Sequence, residues 1–258
     1  MRRMTGTDEL ARFGAIHRGA VRAEWELARR AGLDIRIQES GGLLLGAAPG
    51  LDSRAFNRAL GLAEQPERIP EALAFFEEHG VSGDISLDPA QVPVGVDPAT
   101  RLEAYIARPA EIAPVAVEGV VIRAVGDESA PVWTDIILAS YQPDPDTAAL
   151  WRAMSPHVAH TLGRLLLLGE LDGRTVAAGS IQLTDAGTWI SWAAVLPEAR
   201  GRGIQRAMIA ARARLAEELG EAWIAAWALS GEHSSANLAR AGLRRLGERV
   251  SVRAADLG

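Results

Sequence analysis

The chain has 258 residues, of which 27 are Lys or Arg and 33 are acidic, and its net charge of −6 argues against a general nucleic-acid binder, which needs a basic face. All 27 are Arg, and the absence of Lys and Cys excludes Schiff-base lysines, thiol nucleophiles and thiolate metal sites. Hydrophobic residues make up 48%, enough for one large domain or two small ones. We find no signal peptide and no apolar run long enough to span a bilayer, so we expect a cytoplasmic protein without a membrane partner.

The first part of the chain, residues 1–115, is predicted to form a small domain. Apolar residues at helical spacing predict a helix over residues 8–31. Two alternating runs, at 33–38 and 43–47, predict a hairpin around Gly41-Gly42. Further helices are predicted at 53–60 and 70–79, and strands at 81–87 and 100–107. A proline-bearing connector over residues 109–114 is the predicted domain boundary.

The second domain, residues 116–258, is predicted to have the element order β-α-α-β-β-β-α-β-α-β. That order indicates an α/β fold with antiparallel hairpins followed by a βαβ unit. The predicted strands cover residues 120–125, 164–171, 175–184, 188–196, 222–230 and 244–252. The predicted helices cover residues 127–141, 146–163 (interrupted at Ser155-Pro156), 203–219 and 234–241. Period-two alternation predicts that Trp189 and Trp192 point to opposite faces of the sheet.

The most informative segment lies between the strand at 188–196 and the helix at 203–219. Gly201 and Gly203 allow positive φ and a close approach of the backbone to a ligand. The first amides of a helix have no partner within the helix, and with the helix dipole they form a site for a phosphate. Residues 199–215 contain no acid and five arginines, which favours a small anionic ligand; they are Arg200, Arg202, Arg206, Arg212 and Arg214.

Two other interpretations of this loop compete with a phosphate site. A plain strand-to-helix turn with solvated arginines is the simpler one, and it is favoured for an isolated Gly-x-Gly pair. A dinucleotide-binding loop fits poorly, because Arg206 stands where its third glycine would be and the loop follows the fourth strand of its unit.

Three segments of the sequence resemble parts of a known protein family. The run Arg200-Gly201-Arg202-Gly203-Ile204-Gln205 resembles the acetyl-CoA loop of the GCN5-related N-acetyltransferase (GNAT) family, [Q/R]-x-x-G-x-[G/A], and departs from it at Gln205. The segment from Ser234 to Leu243, with Asn237 and Gly242, resembles the asparagine-bearing helix of that family. Residues 55–62 resemble a segment in the N-terminal halves of two-domain GNAT proteins, whose first domain is degenerate. The alternative for this segment is an ordinary helix that stops at Gly61.

The resemblance implies a GNAT-like mixed sheet flanked by helices, preceded by a smaller degenerate GNAT-like domain. It also implies acetyl-CoA as co-substrate and acetyl transfer to a primary amine of a small molecule or peptide. The backbone of Ala193 and Val195 would bind the pantetheine arm, and Asn237 would lie near the thiol. The pyrophosphate would be held by the loop residues Arg200, Gly201, Arg202, Gly203, Ile204, Gln205 and Arg206.

The catalytic residues are less well defined by the sequence. Many GNAT proteins use a tyrosine near the asparagine helix, whereas this chain has only Tyr105 and Tyr141, both before the loop. We predict Glu170 as the base and Ser235 as a second catalytic residue, with His233, Ser234 or water as alternatives. Since these assignments are open, a non-catalytic acyl-CoA-binding regulatory module is the competing function. We expect no metal, because His157 and His160 lack a third ligand at metal-binding spacing. A homodimer is left open.

Overall fold

A computed structural model describes residues 6–257, and within them the chain forms one mixed sheet of 11 strands flanked by six α-helices. The strands are β1 (Arg36–Ser40), β2 (Leu43–Ala47), β3 (Arg58–Leu60), β4 (Asp84–Leu87), β5 (Thr100–Ala107), β6 (Val120–Val125), β7 (Arg164–Leu171), β8 (Arg174–Thr184), β9 (Gly187–Val195), β10 (Ile224–Leu229) and β11 (Arg244–Arg253). The helices are α1 (Gly6–Arg30), α2 (Ile69–Glu78), α3 (Ala130–Tyr141), α4 (Pro145–Val158), α5 (Ile204–Glu218) and α6 (His233–Ala241). The predicted α/β class is confirmed.

The strand order shows an exchange between the two parts of the chain. It runs β1-β2-β3-β4-β11-β5-β10-β9-β8-β7-β6. Strand β5, from the first part, lies between β10 and β11 and is antiparallel to both. Strand β11, from the end of the second part, pairs with β4 of the first. The two parts thus share one sheet and each completes the other.

Hydrophobic side chains alternate along the strands and divide the core between the two faces of the sheet. On one face, α5 and α6 pack over the second part and α2 packs over the first. On the other face, α1, α3 and α4 form a continuous cover. This arrangement leaves the N-terminus of α5 and the start of α6 beside the carboxyl end of β9.

Three predictions of local structure are wrong. Residues 53–60 form a turn followed by strand β3, because Asn57 fixes the turn by accepting from the Ala48 amide and donating to the Leu51 carbonyl. Helix α4 continues through Pro156 and ends at Val158. Trp192 adopts a left-handed φ of 51°. The strand therefore loses its alternation there, and Trp189 and Trp192 both face the α1–α3–α4 side.

No helix in residues 6–257 combines the length and apolarity that crossing a membrane requires.

Candidate functional site

The parallel strands β9 and β10 separate shortly after they begin to pair. Their register contains only two pairs, Thr188 with Ile224 and Trp189 with Ala225. Farther along, β10 pairs with β5, while β9 follows β8 through a bulge opposite Ala178 and Ser180. A bulge bends its strand and increases the local twist. The second half of β9 therefore turns away from β10 and opens a gap in the sheet.

The gap widens into a cleft of about 680 Å³, within the size range of small-molecule sites. Its walls come from the end of β9, the loop before α5, the start of α6 and the end of α3. The lining residues are Ser140, Tyr141, Ala193, Ala194, Val195, Ala199, Arg200, Gly201, Gly203, Ile204, Gln205, Arg206, Glu232, His233, Ser234 and Asn237. The structure thus brings together every predicted cofactor-binding residue except Arg202. Gln205 lines the cleft without closing it.

The loop before α5 presents a row of free amide donors. Gly201 and Gly203 have φ values of 77° and 80°, and Gly203 occupies the N-cap position of α5. Within residues 6–257, the five amides from 201 to 205 donate to no protein acceptor, and the first amide that does is that of Arg206, to the Gly203 carbonyl. The first turn of α5 contains no acidic residue. Five adjacent donors at a helix N-terminus form an anion site.

The loop arginines carry charge that no carboxylate neutralises. Arg200 donates through Nε to the Val195 carbonyl at 3.1 Å and through Nη2 to the Ser140 carbonyl at 3.1 Å, so it joins β9 to the end of α3. Arg202 and Arg206 are exposed and have no ion pair in the part of the chain that the structure describes. The guanidinium groups of Arg202 and Arg206 are therefore available to an anion, and Arg200 adds positive charge from a position fixed by its two backbone acceptors.

Side-chain donors occupy carbonyls along the bent part of β9. Tyr141 donates to the Ala193 carbonyl at 3.1 Å, and Arg212 donates through Nη1 to the Ser191 carbonyl at 3.1 Å. Arg212 is only 1% exposed, and burial lowers its pKa to about 10. Burial raises the pKa of Tyr141, although the charge of Arg212 opposes the shift. A carbonyl has two lone pairs, so Ala193 and Val195 can each accept a second donor from a bound pantetheine arm.

Asn237 lies on the α6 wall of the cleft, and its amide has no hydrogen-bond partner among the described residues. A half-buried amide with free donors and acceptor is suited to a ligand. By contrast, Ser235, one helical position away from Ser234, points to the sheet. Its hydroxyl donates to the carboxylate of Glu103 and lies 2.8 Å from the Tyr105 hydroxyl.

The structure does not bring the two predicted catalytic residues to the cleft. Ser235 is held by Glu103, and the Ser235 hydrogen bond is the largest of the causes that lower the pKa of Glu103. Glu170 accepts from Arg123 at 2.9 Å, across the β6–β7 pair, and is not among the lining residues. The titratable residues that do line the cleft, besides the arginines, are Tyr141, Glu232 and His233.

Sequence reasoning missed Ser140, Tyr141 and Glu232. The first two precede the loop by about 60 residues, and only the packing of α3 on β9 brings them to the cleft. The sequence signal that could have identified Tyr141 is that the chain contains only two tyrosines.

The two histidines that the sequence places three residues apart, His157 and His160, have other contacts in the structure. His160 is paired with Asp127 at 3.0 Å, and His157 uses its carbonyl to accept from Thr161. Among residues 6–257, no group of three or more His, Cys, Asp or Glu side chains is arranged to hold a metal ion.

Comparison with known proteins finds a family whose sequence profile matches the second part of the chain. Residues 130–243 match the sequence profile described as the acetyltransferase (GNAT) family. No curated protein matches the chain at a significant level.

Solved structures resemble the chain over almost its whole length. A GCN5-related N-acetyltransferase from Kribbella flavida has a TM-score of 0.60 at 17% identity, covering 93% of this chain and 95% of that one. One from Sphaerobacter thermophilus has a TM-score of 0.59 at 17% identity, covering 82% and 79%. A tandem GNAT protein from the clavulanic acid biosynthesis pathway has a TM-score of 0.54 at 14% identity, covering 97% of each chain. At these identities the likeness establishes the fold, which is the predicted GNAT-like sheet, including the tandem arrangement.

Proposed function

From the match of residues 130–243 to the acetyltransferase (GNAT) family, we propose that the protein transfers the acetyl group of acetyl-CoA to a primary amine of a small molecule or peptide. The first part of the chain, residues 1–115, is a degenerate domain in this proposal, and residues 116–258 carry the activity.

The observation that carries the proposal is the row of five free amides at the N-terminus of α5. Three arginines without carboxylate partners lie in or beside it, and it opens onto a cleft that runs along the end of β9 to the start of α6. A diphosphate fits such a donor array, because each oxygen gains a hydrogen bond and the helix dipole favours its charge. A long thiol-bearing arm can then lie along β9, beside Ala193 and Val195.

The chemistry needs an amine to attack the thioester carbonyl, so that a C–N bond forms while the C–S bond breaks. The amine must lose a proton, and the departing thiolate must gain one. We assign these transfers to the titratable groups that line the cleft, Tyr141, Glu232 and His233. Glu170 and Ser235, which the sequence suggested, lie outside the lining and serve as comparison positions. Tyr141 is protonated at neutral pH, as a tyrosine hydroxyl ordinarily is, so it can act as a proton donor.

Calorimetry with acetyl-CoA, followed by release of free thiol in the presence of a panel of amines, tests the proposal. Saturable binding together with amine-dependent thiol release supports an N-acetyltransferase. Binding without turnover across the panel favours the non-catalytic acyl-CoA module, and absence of binding refutes both. Glu232→Gln and His233→Gln should reduce thiol release more than Glu170→Gln, because Glu170 is held by Arg123 outside the cleft.

A further inference from the structure

The start of α6 is anchored to a strand from the other part of the chain. Glu103 lies on β5 and is 9% exposed. Its Oε2 atom accepts from the Ser235 hydroxyl and, at 2.8 Å, from the Tyr105 hydroxyl. Its Oε1 atom accepts from Nε of Arg245 at 2.9 Å. Three donors therefore converge on one buried carboxylate, and only one of them belongs to α6.

Helix α6 has little else to fix its first turn. It has nine residues, and its N-cap residue, Glu232, makes no side-chain capping hydrogen bond. Short helices are marginal without packing or capping. Yet this turn supplies one wall of the cleft, through Glu232, His233, Ser234 and Asn237. Besides the packing of Leu238 and Ala241 in the core, the side-chain hydrogen bonds of Ser235 to Glu103 and Tyr105 tie this turn to the sheet.

We propose that Glu103 is a positioning residue for the co-substrate site, through which the N-terminal part of the chain holds the α6 wall against the pantetheine arm. This inference rests on the proposed function. It assigns the degenerate part a role in binding, although it contributes no residue to the cleft. It also gives Ser235 a different role from the predicted one, since the hydroxyl connects α6 to β5.

The charge state of Glu103 fits this role. The hydrogen bond from Ser235, followed by those from Tyr105 and Arg245, lowers the pKa of Glu103 against the opposing effect of burial. The carboxylate is therefore ionised at neutral pH, and an ionised acceptor makes stronger hydrogen bonds than a neutral one.

The test compares two probes that occupy different parts of the cleft. Acetyl-CoA spans the whole cleft, whereas adenosine 3′,5′-bisphosphate carries phosphates without the pantetheine arm. We expect Ser235→Ala to weaken acetyl-CoA binding about tenfold and to change affinity for the bisphosphate by less than about twofold. Glu103→Gln should show the same split, and Ser235→Thr should restore acetyl-CoA affinity, because it keeps the hydroxyl.

A matched control is available on the neighbouring strand. Glu248 lies opposite Glu103 in the register and contacts the same Arg245, at 3.8 Å, but makes no contact with the α6 side chains. Glu248→Gln should leave both affinities unchanged. Because Ala favours helix more than Ser does, the backbone effect of Ser235→Ala is a slight stabilisation of α6. Weaker acetyl-CoA binding in this variant would therefore not come from helix propensity.

The outcomes separate failure of the proposed function from failure of the role of Glu103. If wild-type protein does not bind acetyl-CoA, the proposed function is wrong and this inference falls with it. If wild-type protein binds and Ser235→Ala binds equally well, only the role of Glu103 is overturned. Equal loss of both probes in Ser235→Ala also overturns it, since that loss reports a general disturbance.

Discussion

The sheet contains two parallel strand pairs, β3 with β4 and β9 with β10, and each pair is joined by a helix on the same face, α2 or α5. Both pairs have a register of only two residues. The cleft at the carboxyl end of β9 has about 680 Å³, whereas the space at the carboxyl end of β3 has only about 20 Å³. The same backbone arrangement is thus open in one part and filled in the other.

Helix α1 and paired charges account for the difference. Phe13, His17 and Arg18 of α1 occupy the space beside β3, and Arg249 closes it by pairing with Glu64 at 2.9 Å. At the start of α2, Arg68 is paired with Glu71, so its charge is neutralised within the protein. The loop arginines before α5 have no such partners. A ligand site needs both empty space and uncompensated charge, and only the second pair has them.

The largest expected effect comes from placing a negative charge in the open pair. Gly203→Asp should weaken acetyl-CoA binding by at least about 100-fold, because the carboxylate repels the diphosphate at short range. Gly220→Asp is the matched control: Gly220 has a φ of 81°, close to the 80° of Gly203, but lies at the other end of α5. Calorimetry on both variants measures the effect, and unchanged affinity in Gly203→Asp would refute the loop assignment.

Substitutions in the first part of the chain should change the free energy of unfolding and leave ligand binding unchanged. A Cβ at Gly46 would lie 2.5 Å from Cη2 of the fully buried Trp25. Gly46→Ala should therefore lower the free energy of unfolding by about 1–3 kcal/mol, measured by urea denaturation. Gly14→Ala meets only the flexible end of Arg18 and should raise it by about 0.5–1 kcal/mol. An unchanged free energy of unfolding in Gly46→Ala would contradict the tight packing between Gly46 and Trp25.

The free energy of unfolding should depend on pH because of His17 on α1. Burial, and then the charges of Arg58 and Arg18, lower the pKa of His17 well below 6.5, and its Nε2 accepts from Trp227. The unfolded chain binds the proton more readily, so stability is lost as pH falls below 6.5, by up to about 1.4 kcal/mol per pH unit. His17→Gln keeps an acceptor without titrating. It should flatten the loss of stability that begins as the pH falls below 6.5.

The smallest expected effects compare an arginine in the first turn of α5 with the arginine that precedes α2. Arg206→Ala should weaken CoA about tenfold and weaken dephospho-CoA less, if Arg206 lies near the 3′-phosphate. Arg68→Ala should change neither affinity by more than about twofold, since its partner is Glu71. Equal losses of CoA and dephospho-CoA in Arg206→Ala would place Arg206 away from the 3′-phosphate.

The sequence predicted the elements that depend on local pattern. The α5 loop, the helix of Asn237 and the hairpins follow from glycines, turn residues and periodicity. It did not predict strand β3, whose three residues pair with β2 and β4 and show no pattern of their own. Nor did it predict that Ser235 would bond to Glu103, 132 positions away, or that Tyr141 would reach the cleft. These contacts arise from tertiary packing.

The exchange of β5 and β11 has a consequence for biosynthesis. Strand β4 ends at residue 87, but its neighbour β11 begins only at residue 244. The edge of β4 therefore stays unpaired while roughly 150 more residues are synthesised, which takes about 10–30 s at ordinary translation rates. An unpaired edge in a nascent chain is a template for aggregation. Early termination before β11 leaves the edges of both β4 and β5 open, so a truncated product is expected to associate with other copies of itself.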